Sequence, residues 1–214
     1  WAATAKGGYN SAYIKYFDID KWLPQALGLA GRADLGEGGR KRVLDIGCGS
    51  GLFGHVCQRL GHEFVGLDIG NPMFRAMCGV LDVRFVTHVI ERRVPLPEDL
   101  TGFDVITAIS PKFDLSELID GKFHGYAWDA YDWAFFLADL RHRLAPGSIC
   151  LVRRKMRERT PAGLRAMLER GRQLDVSTFV LARDQLPAGP PPSDSVLDTG
   201  AGAARHGRGP SPDG

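Results

Sequence analysis

The residues best suited to chemistry sit close together, in Val43-Leu44-Asp45-Ile46-Gly47-Cys48-Gly49-Ser50-Gly51. A short apolar run carries a carboxylate, and three glycines at every second position then turn the chain away. Glycine adopts positive φ and lets a ligand approach the main chain closely. A second carboxylate, Asp68, ends the next apolar run, Phe64-Val65-Gly66-Leu67, 17 residues beyond Gly51. An acid at such a strand end can accept hydrogen bonds from the two hydroxyls of a ribose. Gly49-x-Gly51-x-x-Gly54 also fits the dinucleotide pattern G-x-G-x-x-G. Against that stands Asp45, whose charge would repel a pyrophosphate and attract a cation. A third alternative, glycines serving only turn and packing, makes no demand on Asp68.

The elements that must hold these residues follow from the apolar pattern. Val43–Ile46, Phe64–Leu67, Val83–Val86, Asp104–Ile109 and Ser148–Val152 are short, continuous runs rich in branched residues, the signature of strands covered on both faces. The first four start about 20 residues apart, which leaves room for a short crossover helix between each pair. Helices are expected over Leu52–Leu60 with Gly61 as cap, after Asn71-Pro72, over Asp129–Leu144 up to Pro146-Gly147, and over Pro161–Arg172. Val176–Leu181 reads as a last strand, with a weak one hidden near Arg172–Asp175. The expected fold class is α/β: a doubly wound, mostly parallel six- or seven-stranded sheet with helices on both faces. Residues 1–40, with Tyr9, Tyr13, Tyr16, Phe17 and Trp22 before a Gly-rich stretch, read as a helical lead-in and linker. Residues 41–186 form the main domain. Residues 187–214 hold 6 Pro and 6 Gly and few large apolar side chains, so a disordered tail is expected.

Asp45-x-Gly47-x-Gly49-x-Gly51 with Asp68 at the next strand end resembles the class I S-adenosylmethionine-dependent methyltransferases. The resemblance covers roughly residues 40–183. It extends to Phe103-Asp104-Val105-Ile106, similar to the family's fourth strand, and to Leu144-Ala145-Pro146-Gly147-Ser148, similar to its turn into the fifth. It implies a Rossmann-like methyltransferase fold and S-adenosylmethionine as cofactor. By the same resemblance Gly47, Cys48, Gly49 and Gly51 hold the methionine half, Asp45 orients it, Asp68 binds the ribose, Ile69 packs on adenine, and Ile109 lies beside the cofactor. One departure is Thr87-His88-Val89-Ile90-Glu91, which lacks the family's acid after the third strand. Another is Ala108-Ile109-Ser110-Pro111-Lys112-Phe113, which lacks the Asn/Asp-Pro-Pro-Tyr/Phe segment of amino-methylating enzymes on nucleic acid and protein. The expected activity is methyl transfer to an oxygen or nitrogen of a small-molecule acceptor. The alternatives are a nucleic-acid methyltransferase and a non-catalytic cofactor-binding module.

Weaker signals surround this core. His124, before the helix that follows the fourth strand, is a candidate general base. His55, His62 and His88 read as helix-surface or strand residues. Residues 153–172 carry a local charge of +6 against +2 for the whole chain. A basic stretch of this kind suits phosphate or RNA, but no aromatics interleave it for stacking on bases, so a nucleic-acid partner is disfavoured. The aromatics Trp128, Tyr131, Trp133, Phe135 and Phe136 read mainly as the core face of one helix. Tyr9 and Tyr13, with the connection from Lys112 to Trp128, are expected to roof the acceptor opening. The four cysteines are scattered, which argues for free thiols and a cytoplasmic location, and no spacing suggests a metal site. No apolar run is long enough to cross a membrane, and no signal-peptide pattern follows Trp1, although the native start is expected upstream.

Overall fold

The computed structural model describes residues 15–36, 38–109, 111, 117–119, 122–124, 128–153 and 161–189. Its elements are α1 (Ile19–Arg32), β1 (Arg42–Ile46), α2 (Leu52–Arg59), β2 (Glu63–Asp68), α3 (Pro72–Val80), β3 (Phe85–Thr87), β4 (Phe103–Ala108), β5 (Glu117–Ile119) and β6 (Lys122–His124). They continue with α4 (Ala130–Arg143), β7 (Leu144–Arg153), α5 (Ala162–Leu168), β8 (Arg172–Asp175) and β9 (Thr178–Ala182). Seven strands make one sheet in the order β3-β2-β1-β4-β7-β9-β8. β3, β2, β1, β4 and β7 run parallel, and β9 runs antiparallel to both of its neighbours, β7 and β8. Arg172–Asp175 is therefore the seventh strand, and Val176, 84% exposed, lies in the turn that joins it to β9. β5 and β6 form a separate two-stranded hairpin that the apolar pattern did not announce.

Continuous apolar runs are explained by burial on both faces. Leu44, Ile46, Val65, Leu67 and Ile106 point to a core shared with α4 and α5, around Trp133, Phe136 and Leu140. Val43, Phe64, Val105 and Leu151 point to the opposite core, shared with Ala26 and Ala30 of α1, Phe53 and Val56 of α2 and Cys78 of α3. Trp128, Trp133 and Phe136 are buried edge-on to one another, as their spacing suggested. Local caps agree with the sequence. The Asn71 side chain accepts from the Met73 and Phe74 N–H groups ahead of Pro72, and Asp129 forms a capping box with Asp132.

Three expectations need correction. The third strand is Phe85–Thr87 rather than Val83–Val86, because the turn after α3, with Asp82 at φ +53°, lasts two residues longer. The fifth parallel strand starts already at Leu144: its pairing with β4 is irregular, Phe103 facing Leu144 and Val105 facing Ile149, and Pro146-Gly147 sits within that irregularity. Between β3 and β4 there is no crossover helix at all. Residues 88–102 form an irregular strap, since Pro95 and Pro97 lack N–H groups and disfavour helical geometry in the residue before them, and Arg93 has φ +60°. The strap inserts Leu96 and Leu100 into the core beside α4.

Candidate functional site

β1 and β4 are neighbours in space but flank a reversal of strand order, and their carboxyl ends open a crevice there. Asp45 and Thr107 face each other across this pair. The Thr107 hydroxyl, itself fully buried, donates to Asp45 Oδ1 at 2.6 Å. Burial pushes the Asp45 carboxyl up to about 7, against the Thr107 hydrogen bond and with help from the nearby Asp68 charge. Among the described residues, neither Asp45 nor Asp68 forms an ion pair.

The glycine loop leaves β1 and crosses to β2. The N–H groups of Gly47 and Cys48 both donate to Leu67 O, at 2.7 and 3.2 Å. Gly47 has φ +79°, and a side chain there would meet Pro111 at 3.1 Å, so this turn requires glycine. Gly51, φ +77°, is the N-cap of α2, and a side chain there would strike Cys78 Sγ at 2.6 Å. Asp68 stands outside the loop. Its Oδ2 accepts from the Gly49 N–H at 2.9 Å and its Oδ1 from the Ile69 N–H at 2.8 Å. Asp68 thus shapes the loop as well as facing any ligand laid along it.

The structure brings Asp45, Gly47, Cys48, Gly49 and Ile109 together along one groove of about 450 Å3. Its other wall is α1, through Trp22, Gln25, Leu29 and Arg32. Tyr16 stacks on Trp22 at 5.7 Å and meets Phe74 edge-on at 4.8 Å, which ties the start of α1 to α3 above the loop. Asp68, Ile69 and Gly51 do not line this groove. Ile69 lies beyond Asp68 and is 61% exposed, an apolar platform on the surface. Sequence reasoning missed Thr107 and the α1 wall. Residues 1–40 read only as a helical lead-in and linker, and nothing in that reading said that one face of α1 would look into the groove.

Other candidates fall elsewhere. His62 is buried, not on the surface: its Nδ1 accepts from the Lys41 N–H at 3.1 Å and its Nε2 lies 2.8 Å from Leu35 O, so it fastens the chain between α1 and β1. Burial holds the His88 imidazole below its ordinary range, against the raising effect of Glu91 and Asp139. The backbone of His124 pairs with Glu117 in the β5–β6 hairpin. Tyr9, Tyr13, Ser110, residues 112–116, residues 154–160 of the basic stretch and the tail from 190 lie outside the described residues. All four cysteines are free and buried. Among the described residues, no group of three or more His, Cys, Asp or Glu could hold a metal, and no helix is long and apolar enough to cross a membrane.

No family model matches the chain. A TehB-like SAM-dependent methyltransferase from Corynebacterium glutamicum superposes with a TM-score of 0.51 at 19% identity, over 81% of this chain and 97% of that one. DesVI of Streptomyces venezuelae superposes with a TM-score of 0.50 at 15% identity, over 69% of this chain and 58% of that one. In sequence, 42 residues are 50% identical to mouse 18S rRNA (guanine-N(7))-methyltransferase, which is 20% of this chain and 15% of the mouse protein.

Proposed function

We propose that the chain, whose fold is the Rossmann-like fold of the class I S-adenosylmethionine-dependent methyltransferases, binds S-adenosylmethionine and transfers its methyl group to an oxygen or nitrogen of a small-molecule acceptor. The observation that carries this is the pair Asp45 and Asp68. Two carboxylates flank a glycine loop, one of them buried, and among the described residues no cation of the protein pairs with either. A buried carboxylate without a cation is costly, and a cationic ligand relieves that cost. The ligand supplies an activated methyl on a sulfonium, along with an ammonium group. Asp45 faces those positive groups, and Asp68 takes the ribose hydroxyls with the lone pairs its two backbone bonds leave free. Ile69 meets the adenine face. The leading N–H groups of α2, unpaired within the helix, suit the ligand's carboxylate.

What remains for the protein is alignment. Gly47 and Gly49 allow the ligand to lie against the backbone, and α1 excludes water from the groove beside Ile109. His124 is proposed as a general base and awaits the acceptor. A second proposal, an RNA acceptor, is favoured by the 42-residue match to the mouse rRNA enzyme. A cytoplasmic location suits four free thiols. Calorimetry with S-adenosylmethionine and S-adenosylhomocysteine, then a screen of metabolite pools for label from methyl-labelled cofactor, tests the proposal. Failure to bind either ligand refutes it. Label entering RNA, with binding that weakens steeply with salt, selects the second acceptor class.

A further inference from the structure

Asp45 sits where two protonation states can each complete a hydrogen-bond pattern. The residue is 6% exposed, and its Oδ1 accepts from the Thr107 hydroxyl at 2.6 Å. The same Thr107 oxygen lies 3.4 Å from Leu44 O. A hydroxyl has one proton to donate and lone pairs with which to accept. Ionised Asp45 takes that proton. Protonated Asp45 can donate to Thr107 Oγ instead, and the hydroxyl then turns to Leu44 O. Asp45 Oδ2 has no hydrogen-bond partner among the described residues, and Asp45 lines the groove.

The surroundings supply no cation to hold Asp45 ionised. Asp68, at the end of β2, has the same sign and favours the protonated form. Cys48 in the loop, Cys57 on α2 and Cys78 on α3 feel the Asp45 charge but bring no positive one. Arg32 of α1, which also lines the groove, is bound to Asp175 at 3.1 Å. Among the described residues, no histidine lines the groove. Burial, opposed by Thr107 and aided by Asp68, leaves the carboxyl at about 7, so near neutral pH much of the free protein carries this proton.

We infer that Asp45 exchanges its proton for the cofactor's positive charge, and that this exchange makes Asp45 the residue that selects the sulfonium cofactor over its uncharged thioether product. The exchange rests on the cofactor assignment above; the proton held by the free protein does not. In the exchange the carboxyl O–H bond breaks, its electron pair stays on oxygen, and the proton passes to a base of the buffer. Thr107 then donates to Asp45 Oδ1 in place of Leu44 O. S-adenosylmethionine carries a sulfonium and an ammonium, and S-adenosylhomocysteine carries the ammonium alone. A positive charge beside a carboxylate lowers its proton affinity, so the product leaves more of the proton in place. Both ligands bind more weakly as pH falls, the methyl donor more steeply. Preference for the donor over the product therefore grows as pH rises from about 5 to 7.

The test is calorimetry on the full chain in buffers of different ionisation enthalpy, which counts the protons released on binding. At pH 6 the ligands' α-amino group, ordinarily at about 7.7–8.0, stays charged and contributes nothing. S-adenosylmethionine should release about 0.9 proton there, and S-adenosylhomocysteine less than about half as much. Affinity for S-adenosylmethionine should rise about tenfold from pH 5 to 6. Asp45→Asn should abolish both effects. Thr107→Val should move the release to higher pH, because the hydroxyl favours the ionised form, and Thr107→Ser should restore it; this pair decides the matter if Asp45→Asn does not fold. No release with S-adenosylmethionine, equal release with both ligands, or release that survives Asp45→Asn overturns the inference, the last assigning the proton to another group such as the Cys78 thiol. Without ligand, the carbon-13 resonance of the Asp45 carboxyl should titrate at about 7. If neither ligand binds, the cofactor assignment fails and the exchange with it, while that resonance still decides whether the free protein holds the proton.

Discussion

Two places in this fold use carboxylates to hold irregular backbone, and they treat charge in opposite ways. The strap of residues 88–102 is clamped to α4. Asp132, whose side chain is fully buried, accepts from Arg92 Nε at 2.9 Å and Arg93 Nε at 2.8 Å. Asp139 accepts from the Leu96 N–H at 3.0 Å and pairs with Arg143, which in turn donates to the carbonyls of Leu96 and Pro97 at 2.7 Å. Both of these carboxylates have an arginine. Burial works to raise the Asp132 carboxyl, but hydrogen bonds from Arg92, the Asp129 backbone and Arg93 outweigh it and hold it below its ordinary range. At the glycine loop, Asp45 and Asp68 also organise backbone, yet among the described residues no cation of the protein pairs with them, and Asp45 is pushed up to about 7. A neutralised carboxylate is a staple. A buried one left without a cation is, under the proposed function, a site kept ready for a positive ligand.

Removing the staple should therefore cost more stability than any single substitution at the glycine loop's two carboxylates. Asp132→Ala leaves Arg92 and Arg93 without their buried partner and the Asp129 N–H without its acceptor. The arginines are partly exposed and can recover water, which limits the loss to about 2–3 kcal/mol. Thermal unfolding should show a melting temperature lower by several degrees, with cofactor affinity of the folded protein unchanged. If Asp132→Ala weakens binding but not folding, the two regions are not distinct in the way argued.

Asp45→Asn should act with the opposite sign. It removes a buried charge and keeps the shape beside Thr107, so at pH 8 the free protein should gain stability on the order of 1–3 kcal/mol. Affinity for S-adenosylmethionine should fall by about tenfold or more, since the carboxylate proposed to face the sulfonium and ammonium is gone. Asp68→Ala should weaken S-adenosylmethionine and S-adenosylhomocysteine alike by at least about tenfold, through lost ribose bonds and a loosened Gly49. A stable Asp45→Asn variant with full affinity would remove the cation argument.

The same contrast divides the pH dependence of stability. Asp45 binds its proton more tightly folded than unfolded, so between pH 4 and 7 the native state holds a proton the unfolded chain has released. Stability of the free protein then falls as pH rises through that window, up to the folded value of about 7. Asp132 and Asp175 have lowered values, Asp175 about 2 because the Ser177 N–H donates to it, so their contribution is present above the unfolded value near 3.8 and is lost as pH falls below it. Urea titrations should show both limbs, and Asp45→Asn should flatten only the one between pH 4 and 7.

How much of this was legible in the sequence depends on whether a feature is local. Most strands of the large sheet, the Asn71 cap and the Asp45–Gly51 loop are set by neighbours in the chain, and periodicity and turn chemistry exposed them. The strap was not found because spacing alone left room for a helix, while Pro95 and Pro97 forbade one. Arg92 meets Asp132 across 40 positions and Thr107 meets Asp45 across 62, and such pairings exist only once the sheet has closed. Asp68 was assigned to ribose from its strand-end position, but its bond to the Gly49 N–H depends on how the loop crosses to β2.

The smallest expected effect separates site from scaffold most cleanly. Ile69 follows Asp68, is 61% exposed, and contributes little to either core. Trimming an exposed side chain of this kind ordinarily changes stability by less than about 0.5 kcal/mol. If adenine lands on it, the side chain becomes buried in the complex, and its loss costs about 1 kcal/mol, roughly fivefold in affinity. Ile69→Ala should therefore leave the melting temperature in place and weaken S-adenosylhomocysteine about fivefold. Adenosine alone should lose the same factor, because the platform touches only the base, whereas Asp45→Asn should leave adenosine binding almost unchanged. Equal binding of adenosine to wild type and Ile69→Ala would place the base elsewhere along the edge of β2 and β3.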